Sequence, residues 1–434
     1  MKRAWINDYG MAGVLLAVCV FFSAMTWNEQ RPIGQAAARQ LATALSGEHR
    51  IVIVTPKSTE GEVFAEELSH QLGEQQKVVA TVAGEPFEVR EQLQSLLAES
   101  QAFDTIAAHP AVYHWSLFDQ LAEASPAFAK VKLITAASSR GSSFLRPSNL
   151  LNIANQIAVI AIIAIGMTMI IITGGIDLSV GSLVALSAVV STWLIREYGG
   201  GVEASMAAMI LGGAGGIAVC AAVGCCNGLI VTRFRVPPFI VTLGMMMIAS
   251  GLAYRLSGSQ SIDQVPPSFV WLGRGTQIPH VPNAVVLMLL LFGGAHLLMT
   301  RTVFGRYIYA VGGNAKAAWL SGVPVNRVLV AVYTLGGMLA GLGGVVLASQ
   351  LQAGAPTYGQ MYEMFVIAAV VVGGTSLSGG EGRIFGTLVG ALIIAVIQNG
   401  MNLLGIESDL QRVVLGAMIL GAVLLDRLRQ GPAK

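Results

Sequence analysis

The 434-residue chain is 54% hydrophobic and only 12% charged, with 51 glycines and a formal net charge of +2. A soluble domain carries about a quarter charged residues. The deficit excludes an ordinary soluble protein and points to a polytopic membrane protein, in which small residues let helices approach closely. No basic block marks nucleic acid as a partner. Cys19, Cys220, Cys225 and Cys226 all sit in apolar runs and read as buried thiols acting as small hydrophobes. The adjoining Cys225-Cys226 lack the gap of a metal knuckle, and the six histidines have no ligand spacing, so no metal site is expected.

Met1-Lys-Arg precedes an apolar run from Met11 to about Trp27. That pattern fits a cleaved signal peptide or a retained signal anchor. No clear small-x-small cleavage site follows it, so residues 1–29 are expected to be an anchor. Either reading places the next segment outside the cytoplasm.

Residues 30–143 hold most of the acidic residues and no apolar run of membrane length. Ile51-Val-Ile-Val-Thr55 reads as a buried strand, and Glu60–Gln75 as a helix with Val63, Phe64, Leu68 and Leu72 on one face. Strands are expected near Lys77–Val82, Phe103–Ala108 and Lys130–Thr135, with helices near Pro86–Leu97 and Tyr113–Ala122. This alternation predicts a small α/β domain with a mostly parallel sheet. The turn Thr55-Pro-Lys-Ser-Thr59 has no glycine-rich phosphate loop, so no nucleotide site is assigned there.

From about residue 144 the chain is dominated by apolar stretches: near 153–173, 181–196, 205–232, 239–257, 283–300, 326–350, 362–376, 385–404 and 409–426. A crossing helix needs about 20 residues. With the N-terminal run the expected fold is a polytopic α-helical membrane protein of about ten transmembrane helices, with the α/β domain inserted between the first and second. Arg233, Arg235, Arg301, Arg306, Arg427 and Arg429 then fall on the cytoplasmic side, as the positive-inside rule asks. Both termini are expected there and the insert outside. Gly174-Gly-Ile-Asp-Leu-Ser179 is echoed by Gly373-Gly-Thr-Ser-Leu-Ser378, as in a chain of two parallel repeats. The same echo arises by chance between short Gly/Ser loops.

Asp177 is an acid at a membrane boundary, which makes it a functional candidate. Its other reading is an N-cap for a helix beginning near Leu178. Glu363 is a second candidate, and Ser179, Asn227, Thr242, Gln398 and Asn399 either line a polar path or hydrogen-bond between helices. The pairs Gly212/Gly216, Gly224/Gly228 and Gly337/Gly341 read as packing contacts. The segment 305–323 reads as a loop holding a short helix, entered at Asn314 and ending near Gly322, compact enough to fit a cleft on a partner.

Asn149-Leu-Leu-Asn152, Ala164–Ile170, Gly174–Ser182, Pro238–Gly244, Gly305–Val323 and Ala368–Gly380 occur in this order. Together they closely resemble the permease subunits of ribose, xylose, galactose and autoinducer-2 ABC importers, across about 144–427. The resemblance implies a permease of the bacterial inner membrane that pairs into a dimer and carries a monosaccharide or related small solute by alternating access. It further implies ATPase subunits docked on 305–323, where Arg306, Gly313, Asn314, Ala317, Ala318 and Gly322 are the expected coupling residues, and an extracytoplasmic substrate-binding protein. ATP and magnesium would sit on the partner ATPase, with no cofactor and no catalysis in this chain. Residues 30–143 depart from the family pattern, which has a short loop there. Leu377-Ser-Gly-Gly-Glu381 resembles the ATPase signature, yet no Gly-x-x-x-x-Gly-Lys-Ser/Thr loop accompanies it, so ATP binding is not expected. An ion-coupled transporter would need paired acids or histidine relays, which are scarce. A sensor would need an output domain beyond Leu428.

Overall fold

The computed structural model describes residues 2–45, 49–72, 76–98, 103–126, 128–278 and 281–430. The chain divides into two compact units, one of Trp27–Ser143 and one of Met1–Thr26 with Phe144–Lys434. The chain opens with α1 (Lys2–Met25), whose Phe22 packs on Phe144 within the larger unit. The side chains of Lys2, Arg3, Arg427 and Arg429, on which the expected topology partly draws, lie outside the described residues.

The smaller unit runs β1 (Trp27–Gln30), α2 (Gly34–Ala44), β2 (His49–Thr55), α3 (Thr59–Gln71), β3 (Gln76–Ala83), α4 (Pro86–Ala98), β4 (Thr105–Ala108), α5 (Leu117–Ala124), β5 (Lys132–Ile134) and β6 (Ser139–Ser142). The expected end of α3 at 73–75 lies outside the described residues. Strands β3-β2-β4-β5 form a sheet in that order, each neighbour parallel to the next. Strand β1 pairs antiparallel with β6, from Trp27 opposite Ser142 to Gln30 opposite Ser139, and closes the unit where the chain enters and leaves. The run Ile51–Val54 is apolar throughout because both faces of a parallel sheet are covered. Ile51 and Ile53 pack with Leu41, Phe64 and Leu68 of α2 and α3, while Val52 and Val54 pack with Val89, Leu93 and Leu121 of α4 and α5. Each such side chain contributes about 1.5–3 kcal/mol on burial. Helix α5 begins at Leu117 rather than near Tyr113, because His109–Trp115 first makes tight turns, with Val112 and Tyr113 amides donating to the His109 carbonyl.

The larger unit continues with α6 (Pro147–Ile172), α7 (Val180–Tyr198), α8 (Met206–Phe234), α9 (Pro238–Ser257), α10 (Asn283–Arg301), α11 (Val303–Gly313), α12 (Ala315–Leu320), α13 (Val325–Leu351), α14 (Tyr362–Val372), α15 (Ile384–Leu403) and α16 (Ser408–Gln430). Among the described residues seven of these are long and apolar enough to cross a membrane. Gly10–Met25 and Tyr362–Val372 are shorter apolar helices. The stretch expected at 362–376 ends as a helix at Val372, where Gly373 and Gly374 turn the chain. Helix α6 is buried along most of its length, whereas α8 and α9 bury only a minority of theirs.

Small residues set the closest approaches. A side chain at Gly224 would overlap the Tyr333 carbonyl, and one at Gly337 the Cys220 carbonyl, so α8 and α13 meet backbone to backbone. The thiols divide: Cys220 is buried and donates to the Leu183 carbonyl at 3.2 Å, but Cys226 is exposed, on the outer side of α8. Uniform burial of the thiols therefore fails, because an apolar surface toward lipid accepts a thiol as readily as a core does.

Candidate functional site

Two irregular loops interrupt the helices of the larger unit. After α6 the amides of Gly174 and Gly175 donate to the carbonyls of Ile171 and Ile170; after α14 those of Gly374 and Thr375 donate to Val371 and Val370. These are the paired bonds of a Schellman stop, with Gly174 at φ 82° and Gly374 at φ 89° in the left-handed region that glycine tolerates. The backbone register equates Gly174 with Gly374, one residue away from the sequence echo that sets Gly174 against Gly373. Asp177 consequently falls opposite Leu377, and the second loop carries no acid there.

Asp177 is fully buried, and its Oδ1 accepts from the Ser179 amide at 2.8 Å and the Ser179 hydroxyl at 2.5 Å. It does not cap a helix starting near Leu178. Helix α7 begins at Val180 with Ser179 as its N-cap, so Asp177 shapes the turn before the helix. Asn227 of α8 donates to the Ser179 hydroxyl at 3.3 Å. Thr242 of α9 accepts from the Leu178 amide at 3.1 Å and is 3.3 Å from the Ile176 carbonyl. Four of the expected path residues thus meet in one buried polar knot. It has a further member, Tyr333 of α13, whose phenol oxygen lies against Gly175. Asp177 Oδ2, Asn227 Oδ1 and the Tyr333 hydroxyl are buried without hydrogen-bond partners among the described residues. Such orphaned groups each cost about 1–3 kcal/mol and are uncommon enough in folded proteins to mark the knot as a functional candidate.

Beside the knot lies a cavity of about 460 Å³ lined by Ser182, Met246, Ser250, Tyr358, Gln360 and Glu363, among others. That falls within the ~300–1,000 Å³ of small-molecule sites. Ser182 connects the two, since its hydroxyl donates to the Ser179 carbonyl at 2.8 Å. Glu363 closes on the same helix start, where a side chain at Gly181 would overlap its carboxylate. Asn399 is elsewhere: it and Asn149 exchange amide bonds at 2.9 Å, a clamp between α15 and α6.

On 305–323 Asn314 caps α12 as its residue type predicts, accepting from the Ala317 amide at 2.9 Å, and Gly322 turns the chain at φ 84°. Preceding it is a further helix, α11, in place of the expected loop. Arg306, Gly313, Asn314, Ala317 and Gly322 are exposed. Ala318 is not: it is buried in the core of its own unit, so it cannot face a partner. Trp319 and Leu320, which sequence reasoning missed, are 67% and 78% exposed and supply the apolar surface. The end of α11 is wedged between both glycine loops. A side chain at Gly312 would strike the Ile172 carbonyl and the Gly380 amide, Gly380 donates to that same carbonyl at 2.8 Å, and the Tyr309 hydroxyl donates to the Gly382 carbonyl at 2.8 Å.

Residues 149–423, which contain the knot, the cavity and α11–α12, match the family described as branched-chain amino acid transport system / permease component. The chain belongs to this permease family. The permease is 45% identical over 287 residues to the ribose import permease protein of Bacillus subtilis, covering 66% of this chain and 86% of that protein. It is 39% identical over 289 residues to the D-allose transport system permease of Escherichia coli, covering 66% and 85%. Against the L-arabinose ABC transporter permease of Azospirillum brasilense it is 37% identical over 289 residues, covering 66% and 82%. No solved structure matches the permease. The family match begins at residue 149, so the unit Trp27–Ser143 lies outside it.

Proposed function

We propose that this permease is the membrane subunit of an ATP-driven importer and carries a monosaccharide by alternating access through the cavity between α7, α9 and the 356–363 segment. The observation that carries the reading is the junction of three parts in one unit: a cavity of sugar size, a buried carboxylate knot one turn from it, and the Gly312 wedge that ties both glycine loops to an exposed helix. The names of the relatives, for ribose, allose and arabinose, support the substrate class. ATP and magnesium belong to separate ATPase subunits, which dock on Ala317, Trp319 and Leu320, with Arg306, Asn314 and Gly322 at the margin. Movement there shifts α11, and α11 shifts the first glycine loop, which holds Asp177 and leads into the α7 start against Glu363, together with the second, which follows α14. Ten crossing helices, cytoplasmic termini, a second permease chain and an extracytoplasmic binding protein complete the arrangement, and the unit Trp27–Ser143 stands outside the cytoplasm. An ion-coupled carrier or a sensor gains no support from the family membership. The test is reconstitution in vesicles with the cognate ATPase and binding protein, measuring uptake of labelled pentoses and hexoses. ATP-dependent uptake that falls at least about tenfold in Glu363→Gln is expected; undiminished uptake would remove Glu363 and the cavity from the path.

A further inference from the structure

The sheet of the smaller unit reverses its winding between β2 and β4: from β2 the chain steps to β3 on one side, then returns to β4 on the other. In doubly wound sheets the crevice outside the carboxyl ends of the strands at such a reversal is where ligands sit, because the two connections diverge there. Among the described residues this unit has three buried side-chain polar atoms without a hydrogen-bond partner, and all three lie at that end. They are His109 Nε2, directly after β4; Thr135 Oγ1, directly after β5; and Arg31 Nη1, whose guanidinium lies 4.2 Å over the ring of Tyr113 in the turn following β4.

His109 is the most informative of the three. It is 1% exposed, and its Nδ1 accepts from the Ala111 amide at 3.2 Å. That bond places the ring proton on Nε2, so the orphaned atom is a donor. The ring lies against α3, edge-to-face with Phe64 at 5.1 Å, and the Glu60 carboxylate on the first turn of α3 acts on its charge. It therefore stands under the β2–α3 connection, at the mouth of the reversal. A packing role alone would favour an apolar ring, as unsatisfied buried donors are costly.

We propose that this carboxyl edge binds a neutral polyhydroxylated molecule, a monosaccharide, with Arg31, His109 and Thr135 as its hydrogen-bond partners. Guanidinium and imidazole donors beside a hydroxyl suit the alternating donors and acceptors of a sugar. The connection Thr55-Pro-Lys-Ser-Thr59 has no glycine-rich run to cradle a phosphate, which sets nucleotides aside. The formal charges along the edge balance, Arg31 and Lys57 against Glu60 and Glu85, which disfavours a strongly anionic ligand. The inference rests on the sugar-import reading above for its choice of ligand, and gives the smaller unit a part in it as a solute-holding site separate from the membrane cavity.

The test uses the full-length permease in lipid nanodiscs, without ATPase or binding protein, titrated calorimetrically with D-ribose, D-allose, L-arabinose and, as an acceptor-rich anion, citrate. Saturable sugar binding is expected, weakened about tenfold or more in Arg31→Met and in His109→Phe, the factor that goes with losing one good hydrogen bond. Binding lost in Glu363→Gln but kept in the other two would assign the sugar to the membrane cavity and overturn the proposal. Citrate binding without sugar binding would overturn the ligand class. No binding by the wild-type protein, with sugar uptake by the complete transporter intact, would overturn the site and leave the transport reading standing; absence of uptake for every sugar would instead strike that reading. Because the wild-type titration decides first, misfolding of a variant does not shelter the idea.

Discussion

Asp177 is held at one oxygen only, with two bonds to Oδ1 and none to Oδ2 among the described residues. Asp177→Ala removes both turn-forming bonds, so it is expected to lower stability by about 1–3 kcal/mol and to abolish uptake. Asp177→Asn keeps the Oδ1 acceptor and should retain the fold while cutting uptake. Melting curves of the purified permease beside vesicle uptake separate the two, and equal uptake in Asp177→Asn and the parent would confine Asp177 to shaping the turn. In the smaller unit, burial holds the His109 imidazole below its ordinary value of 6.5. A base whose folded value is depressed binds fewer protons folded than unfolded, so its stabilising effect is whole above about 6.5 and is lost as the pH falls. The protection factors of the β4 amides, which correct for the intrinsic slowing of exchange in acid, are expected to fall between about pH 7.5 and about pH 5, and His109→Gln should flatten that dependence. Asp177 was legible in the sequence because a carboxylate among apolar residues stands out. Tyr333 was not: in Val-Ala-Val-Tyr-Thr it reads as one more membrane aromatic, and only packing against Gly175 reveals its place.

At the scale of elements, adjacent glycines at the end of α11 answer to different partners. A methyl group added at Gly313 would meet nothing within 4 Å, whereas Gly312 is pressed on the Ile172 carbonyl. Gly312→Ala should therefore destabilise the permease itself and reduce its folded yield. Gly313→Trp should leave the melting temperature unchanged yet uncouple ATP hydrolysis from uptake, as should Trp319→Ala. Comparing melting with ATPase-coupled uptake in the three variants checks this; normal coupled uptake in both Gly313→Trp and Trp319→Ala would sink the docking surface. The sequence located α12 from its Asn cap and small residues, because capping is local chemistry. It could not tell Ala317 from Ala318, since one faces outward and the other inward only once α12 is laid on α13. The glycine loops show the same limit: the echo was visible, but its true register comes from helix-stop bonds that letters do not display.

For the whole molecule, the unit Trp27–Ser143 enters and leaves through the β1–β6 pair, which makes a clean excision possible. Replacing residues 31–138 with a short Gly-Ser link keeps that pair. The shortened permease is expected to assemble with its ATPase while uptake falls at limiting solute; unchanged uptake at every concentration would remove any transport role for this unit. What the sequence by itself determined is what depends on composition and period: a membrane-embedded helical chain, an interposed run of alternating strands and helices, and the ordered motifs of a permease. Tertiary structure alone decided which polar residues share a site. Asp177 and Ser179 from the loop before α7 meet Asn227, Thr242 and Tyr333 from three separate helices, and Asn399 pairs with Asn149 across 250 positions instead of joining them. Proximity of that kind is set by helix packing at glycine contacts, where fractions of an ångström choose the neighbour, and no local pattern records it.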